Sequence, residues 1–131
     1  MSKPYLHQCV VEFEDVDAYG IAHHSRLITF LERARVHFFE DHGVRVHDGD
    51  FQLVLVNLEV NFRQPAKMMD TLEISMQVDR LRSASLVWVY RIARGEDTIL
   101  EAQLKMASVD QELKPCRFPS LVREALAQIS L

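Results

Sequence analysis

The sequence predicts an α+β domain in which one long helix is wrapped by an antiparallel sheet of five or six strands. Three observations predict it. One segment carries apolar residues at helical spacing for roughly five turns. Four later segments alternate apolar and polar residues with a period of two. The connections among those four are of hairpin length, which makes neighbouring strands antiparallel. The apolar strand faces must be covered, and one long apolar helix is there to cover them.

The first strand is "LHQCVVEFE", residues 6–14, rich in apolar and β-branched residues. The helix runs from about Ser25 to His42. Leu27, Leu31, Ala34 and Phe38 recur at its period, Ile28 and Phe30 widen the stripe, and Arg26, Glu32 and Arg33 fall mostly on other faces. Gly43 in "DHG" supplies a left-handed stop. From Phe51 onward Val54, Val56, Leu58, Val60 and Phe62 read as one apolar face, with Asn57, Glu59 and Asn61 opposite. "RQPAKMMD" turns the chain at Pro65. Leu72, Ile74, Met76 and Val78 then alternate with Glu73, Ser75, Gln77 and Asp79. A turn at "RLRSAS" leads to Leu86, Trp88, Tyr90 and Ile92, where Trp88 and Tyr90 read as packing. "RGED" leads to Leu100, Ala102, Leu104 and Met106, and "PSLVREALAQISL" closes the chain as a short helix with Ser120 near its cap.

No repeat, linker or low-complexity segment interrupts residues 1–131, which read as one domain. Apolar residues make up 48 % of the 131, enough for a core without disulfides or a structural metal. The formal net charge is −4 and no basic block is present, so nucleic acid is not an expected partner. Cys9 and Cys116 are far apart and read as reduced thiols. "MSKPYLHQ" has no apolar signal region, and no apolar stretch is long enough to span a bilayer. A soluble, cytoplasmic protein is expected, without membrane insertion. The sheet leaves long edge strands, which proteins protect or pair with another copy, so an oligomer is expected too.

Chemistry concentrates in "EDVDAYGIAHHS", residues 14–25, which packs three carboxylates, one glycine and two histidines between strand and helix. Asp15 and Asp17 suit a turn as well as acid–base work. His23, His24, His37, His42 and His47 show no ligand spacing, so no metal site is expected.

The run "EDVDAYGIAHHSRLITFLERAR", residues 14–35, resembles the signature of hotdog-fold acyl-CoA thioesterases, in particular the 4-hydroxybenzoyl-CoA group and those associated with the Tol–Pal system. Their pattern D-x-D-x-x-G followed by a helix carrying E-R-A-R is met by Asp15, Asp17 and Gly20, then Glu32, Arg33, Ala34 and Arg35. "QPAKMMDTLEI" and "SASLVW" resemble the family's later strands. The resemblance implies the hotdog fold, a dimer with a continuous sheet, often paired into a homotetramer, and active sites at the dimer interface. It implies hydrolysis of thioesters of coenzyme A, for some members of acyl carrier protein, without metal or bound cofactor, coenzyme A being part of the substrate.

Asp17 matches the family's catalytic aspartate, as general base or as nucleophile forming a mixed anhydride. The backbone amide at His24, where the helix begins, matches the oxyanion donor, and the His24 side chain stands where the Tol–Pal-like branch has an assisting histidine. Gly20 allows the tight turn between them, Ile21 and His23 line the pocket, and Asp15 and Glu14 read as structural or solvated. Ser83 and Ser85 lie in a turn that the family uses near the pantetheine. Lys67, Arg80 and Arg82 stand in or beside turns where they could meet the phosphates of coenzyme A. Phe13 departs from the Tol–Pal-like branch, which often has a tyrosine there, and cannot supply that hydroxyl. Two further readings are a non-catalytic hotdog module that binds acyl-CoA or a protein, and a dehydratase, whose histidine and acidic pair are not found.

Overall fold

The computed structural model describes residues 2–45 and 51–131; His47 lies outside them. Strand β1 (Tyr5–Val10) leads through a short 3-10 turn (Phe13–Asp15) to helix α1 (His24–Asp41). Strands β2 (Gln52–Phe62), β3 (Thr71–Asp79), β4 (Ser85–Arg94) and β5 (Asp97–Val109) follow, then helix α2 (Ser120–Gln128). The five strands form one sheet in the order β1-β3-β4-β5-β2, every pair antiparallel. This is the helix-in-sheet hotdog architecture. No helix among the described residues is long and apolar enough to cross a membrane.

The period-two segments behave as their patterns require. Leu72, Ile74, Met76 and Val78 of β3 are buried, as are Leu86, Trp88, Tyr90 and Ile92 of β4 and Leu100, Ala102, Leu104 and Met106 of β5. They form one core with Leu27, Phe30, Leu31, Ala34, Phe38 and Phe39 of α1. Full burial of each large apolar side chain contributes roughly 1.5–3 kcal/mol. Trp88 stands edge-on to Phe38 and Phe39, with centroids 6.3 and 6.0 Å away. Its indole N–H has no hydrogen-bond partner among the described residues. Gly43, at φ +74°, ends α1 as expected. The Val44 amide reaches back to the Phe39 carbonyl (2.8 Å) and the Gly43 amide to that of Glu40 (3.1 Å), the paired bonds of a Schellman stop.

Three expectations are corrected. The first strand stops at Val10 rather than continuing to Glu14, because the Asp15 carboxylate accepts the Glu12 amide at 2.9 Å. The Asp15 amide in turn donates to the Glu12 carbonyl at 2.9 Å, winding the chain into the 3-10 turn. The supposed single apolar face of β2 is broken by a bulge. Leu55 pairs with Met106 and Asn57 with Lys105, so Val56 is the extra residue. Side chains on opposite sides of a bulge change face. Leu53 and Leu55 therefore share the helix side with Leu58, Val60 and Phe62, while Val54 turns outward. Ser120 is the first residue of α2, whose cap position is Pro119, and no side chain caps that helix.

The two flanks of α1 differ in chemistry. Towards β1, Tyr5 donates to Asp41 at 2.7 Å and meets Phe38 edge-on at 5.3 Å, and the His7 and His37 rings stack at 4.4 Å. Towards edge strand β2 apolar side chains are left uncovered: Leu55, Val56, Leu58 and Phe62 remain exposed.

Candidate functional site

Residues 16–22 form a tight loop closed on itself. The Asp17 amide donates to the Ile21 carbonyl at 2.9 Å and the Gly20 amide to the Asp17 carbonyl at 3.0 Å. One carboxylate oxygen of Asp17, Oδ1, accepts the amides of Tyr19 at 2.8 Å and Ile21 at 3.2 Å. Asp17 is thus a turn former of the kind aspartate favours. Its other oxygen receives no protein donor among the described residues. Gly20 sits at φ +75° with nothing within 4 Å of where a Cβ would stand, so its requirement is torsional rather than steric.

Neighbouring backbone pins the loop. The Ala22 amide donates to the Ala66 carbonyl (2.8 Å) and the Met68 amide to that of Gly20 (3.4 Å), so the "RQPAKMMD" turn forms one wall. Asp70 stiffens that turn by accepting the Lys67 amide at 2.9 Å and Arg94 at 2.7 Å. Burial alone would raise the Asp70 pKa, but the Lys67 amide and the Arg94 guanidinium hold it below the usual carboxylate value.

The helix starts immediately after the loop. His23 is its cap residue and contributes no side-chain bond. The Arg26 and Leu27 amides both donate to the His23 carbonyl, at 3.0 and 3.2 Å. The amides of His24 and Ser25 have no protein acceptor among the described residues. Such groups are the free donors at the positive end of a helix, and here the helix is 18 residues long. The His24 ring lies edge-on to Phe62 of β2, centroids 6.4 Å apart, and makes no hydrogen bond to Asp17.

Asp15 is placed differently from Asp17. It is 2 % exposed, and Arg26 Nε donates to its Oδ1 at 2.8 Å. Its carbonyl accepts the His23 amide at 2.9 Å. Sequence reasoning placed Arg26 on a polar helix face and missed this pair. A signal was available: a cation in the first helical turn faces the positive end of the dipole and is disfavoured unless a carboxylate holds it.

Beyond the helix start, a cleft of about 250 Å³ runs between α1 and β2, lined by Ile28, Glu32, Arg35, Leu53, Leu55, Leu58, Leu104 and Met106. Arg35 donates to the buried Tyr90 hydroxyl at 3.1 Å. The β2 bulge puts Leu53 and Leu55 into this cleft. Phe13, 81 % exposed, and Tyr19 stand out beside the loop.

The structure therefore brings Asp17, Gly20, Ile21, His23 and His24 together. It does not bring Ser83 and Ser85 to them within one chain. Val10 pairs with Thr71 at the site end of β3, whereas Ser83 and Ser85 follow Asp79 at the other end, nine strand residues and roughly 30 Å away. There Ser85 shares a small hollow of about 110 Å³ with Arg80, Arg82 and Lys105. Lys67 stays near the loop, in an isolated bridge to Ile21. Among the described residues no group of three potential ligands could hold a metal ion. The Cys9 thiol is pushed up to about 11 by burial, which keeps it protonated and unreactive at neutral pH.

A family model described as Thioesterase-like superfamily matches residues 11–126. The acyl-CoA thioester hydrolase YbgC of Escherichia coli O6:H1 is 34 % identical over 122 residues, covering 87 % of this chain and 90 % of that protein. The acyl-CoA thioesterase YbgC of Haemophilus influenzae is 28 % identical, covering 88 % of each. In fold, the chain is similar to the crystal structure of a 1,4-dihydroxy-2-naphthoyl-CoA thioesterase from Synechocystis, with a TM-score of 0.89, 19 % identity, and 96 % of this chain and 97 % of that one covered.

Proposed function

The chain belongs to the thioesterase-like superfamily and is a thioester hydrolase, and we propose that it hydrolyses acyl-CoA thioesters with Asp17 and the first amides of α1. The carrying observation is geometric. A carboxylate with one oxygen fixed and one oxygen open stands in the tight loop that runs directly into helix amides with no acceptor among the described residues. A thioester carbonyl set between them would meet a base or nucleophile on one side and oxyanion donors on the other.

Acting as a base, Asp17 takes a proton from water as the oxygen adds to the carbonyl carbon. The His24 amide holds the oxyanion. The C–S bond then breaks, and the departing thiolate takes up the proton to leave free acid and coenzyme A. As a nucleophile, Asp17 would instead form a mixed anhydride that water opens. Both routes need the same residue and the same donors. In this reading His24 acts through its backbone amide, while its ring, with Phe62, Ile21 and His23, shapes the mouth of the α1–β2 cleft that takes the acyl group. No cofactor is required beyond the coenzyme A of the substrate.

The proposed working unit is a dimer paired along β2, an eleven-residue edge strand with Leu55, Val56, Leu58 and Phe62 exposed. Such edges invite pairing. About a twofold axis the two β2 strands run antiparallel, so the second copy's Ser83–Ser85 turn approaches this protomer's Phe62 and His24. Pantetheine and phosphates would then run towards Arg80 and Arg82 of that copy.

One observation favours a second reading. Asp17 Oδ1 is fully used by turn amides, as it would be in a binding module without catalysis. Thiol release from short, medium, long and aromatic acyl-CoAs, with wild type and Asp17→Asn side by side, decides between them. The enzyme reading expects hydrolysis of at least one thioester and a loss of about a hundredfold or more in the variant. Equal rates would remove Asp17 from the chemistry. No release by either protein, with acyl carrier protein thioesters also inert, would favour the binding module.

A further inference from the structure

We propose that Asp15 and Arg26 form a positioning pair that sets the His24 amide against Asp17. The proposal rests on the reading of Asp17 and that amide given above. Asp15 holds three separate points of the chain. Its Oδ2 accepts the Glu12 amide at 2.9 Å, its Oδ1 accepts Arg26 Nε at 2.8 Å, and its carbonyl accepts the His23 amide at 2.9 Å. Those points are the entry to the loop, the cap of α1 and the first turn of α1. The loop carrying Asp17 is thereby closed at both ends by one residue, and the helix end that offers its amides is tied to that same residue.

A simple stabilising ion pair would not need this arrangement. The carboxylate is 2 % exposed, and the Arg26 side chain is 34 % exposed, so the pair has a buried and a solvated end. The buried end joins the stretch before the loop to the helix turn after it. The cap residue contributes no side-chain bond, so beside the Ala22–Ala66 backbone bond and the His24–Phe62 ring contact it is Asp15 that ties the helix start to the loop entry. Catalytic geometry tolerates errors of about 0.5 Å, and a 1 Å misplacement can cost about a hundredfold in rate. Loosening this pair should therefore appear in turnover before it appears in substrate affinity.

The test uses Arg26→Lys, Arg26→Gln, Asp15→Asn and the double variant Asp15→Asn/Arg26→Gln, with Asp17→Asn in the same series. Each is assayed well below its own unfolding midpoint on the acyl-CoA that wild type hydrolyses fastest. The proposal expects kcat to fall about ten- to a hundredfold with KM within about twofold. Arg26→Lys should retain more turnover than Arg26→Gln, and the double variant should lose no more than the worse single one, because both act through one contact. The double variant removes the buried charge along with its partner, so it keeps the test decisive if Arg26→Gln fails to fold. Turnover within about threefold of wild type in the folded variants would overturn the proposal, as would independent, multiplying losses in the double variant. Wild-type turnover in Asp17→Asn would instead overturn the underlying reading. An inactive Asp17→Asn beside fully active Arg26 and Asp15 variants would sink the positioning role alone.

Discussion

Asp15 gives both carboxylate oxygens and its carbonyl to the protein, whereas Asp17, two residues on and half-buried, gives Oδ1 to two amides and leaves Oδ2 open. The same functional group, in one loop, is scaffold in the first case and available chemistry in the second. What separates them is where the neighbouring donors point. A buried carboxylate must be paired to be tolerated; a half-buried one oriented by backbone amides keeps a face for a ligand. A carboxylate-rich loop is thus not a site by composition, and the hydrogen-bond inventory decides which member can react.

The largest effect expected from that contrast is catalytic. Asp17→Asn should lose about a hundredfold or more in thiol release. Its unfolding midpoint should barely move, because the asparagine carbonyl can still accept the Tyr19 and Ile21 amides. A large fall in midpoint would make Asp17 scaffold too and break the contrast. Asp15→Ala should do the reverse in stability. It strands the Glu12 amide and removes the partner of Arg26, for a cost of about 1–3 kcal/mol, visible in chemical denaturation. Gly20→Ala is smaller. A side chain at φ +75° costs about 1 kcal/mol, and since nothing crowds the Cβ, the effect should be conformational, with turnover falling as the loop relaxes.

The smallest effect lies away from the loop and serves as its control. The His7 pKa is lowered by burial first, then by His37 and Arg33, with Asp41 opposing. Beside it on its own strand stand Tyr5 and Cys9, and across the β1–α1 seam it meets Arg33, His37 and Asp41 of the helix. A histidine whose folded pKa lies below its unfolded value takes up protons more readily when unfolded. Its stabilising contribution is therefore complete above about pH 6.5 and shrinks as pH falls below it. A urea series between pH 5 and 8 should show this slope, and His7→Gln should flatten it. An unchanged slope would place the dependence elsewhere.

Strands β3, β4 and β5 were legible in the sequence because alternation alone determines which side faces the helix. β2 was not, since the face of Leu53 and Leu55 depends on a bulge visible only against Met106 and Lys105 of β5. The early end of β1 was equally hidden, because it follows from Asp15 reaching back three residues to Glu12. The loop–glycine–helix order was readable because Asp17, Gly20 and His24 lie within eight consecutive residues, so the turn that joins them is local. The Asp15–Arg26 pair was missed because it joins residues eleven apart that no local period relates. Ser83 and Ser85 stand at the far end of the sheet, beyond Asp79, a separation set by strand length and direction that no local motif states.

The central claim is that a thioester carbonyl sits between Asp17 and the first amides of α1. Infrared difference spectroscopy of a carbonyl-labelled acyl-CoA bound to the Asp17→Asn variant tests it most directly. The account predicts a carbonyl stretch shifted to lower frequency on binding, with the shift reduced when Arg26→Gln is added. A bound thioester whose carbonyl absorbs where it does in water would contradict it.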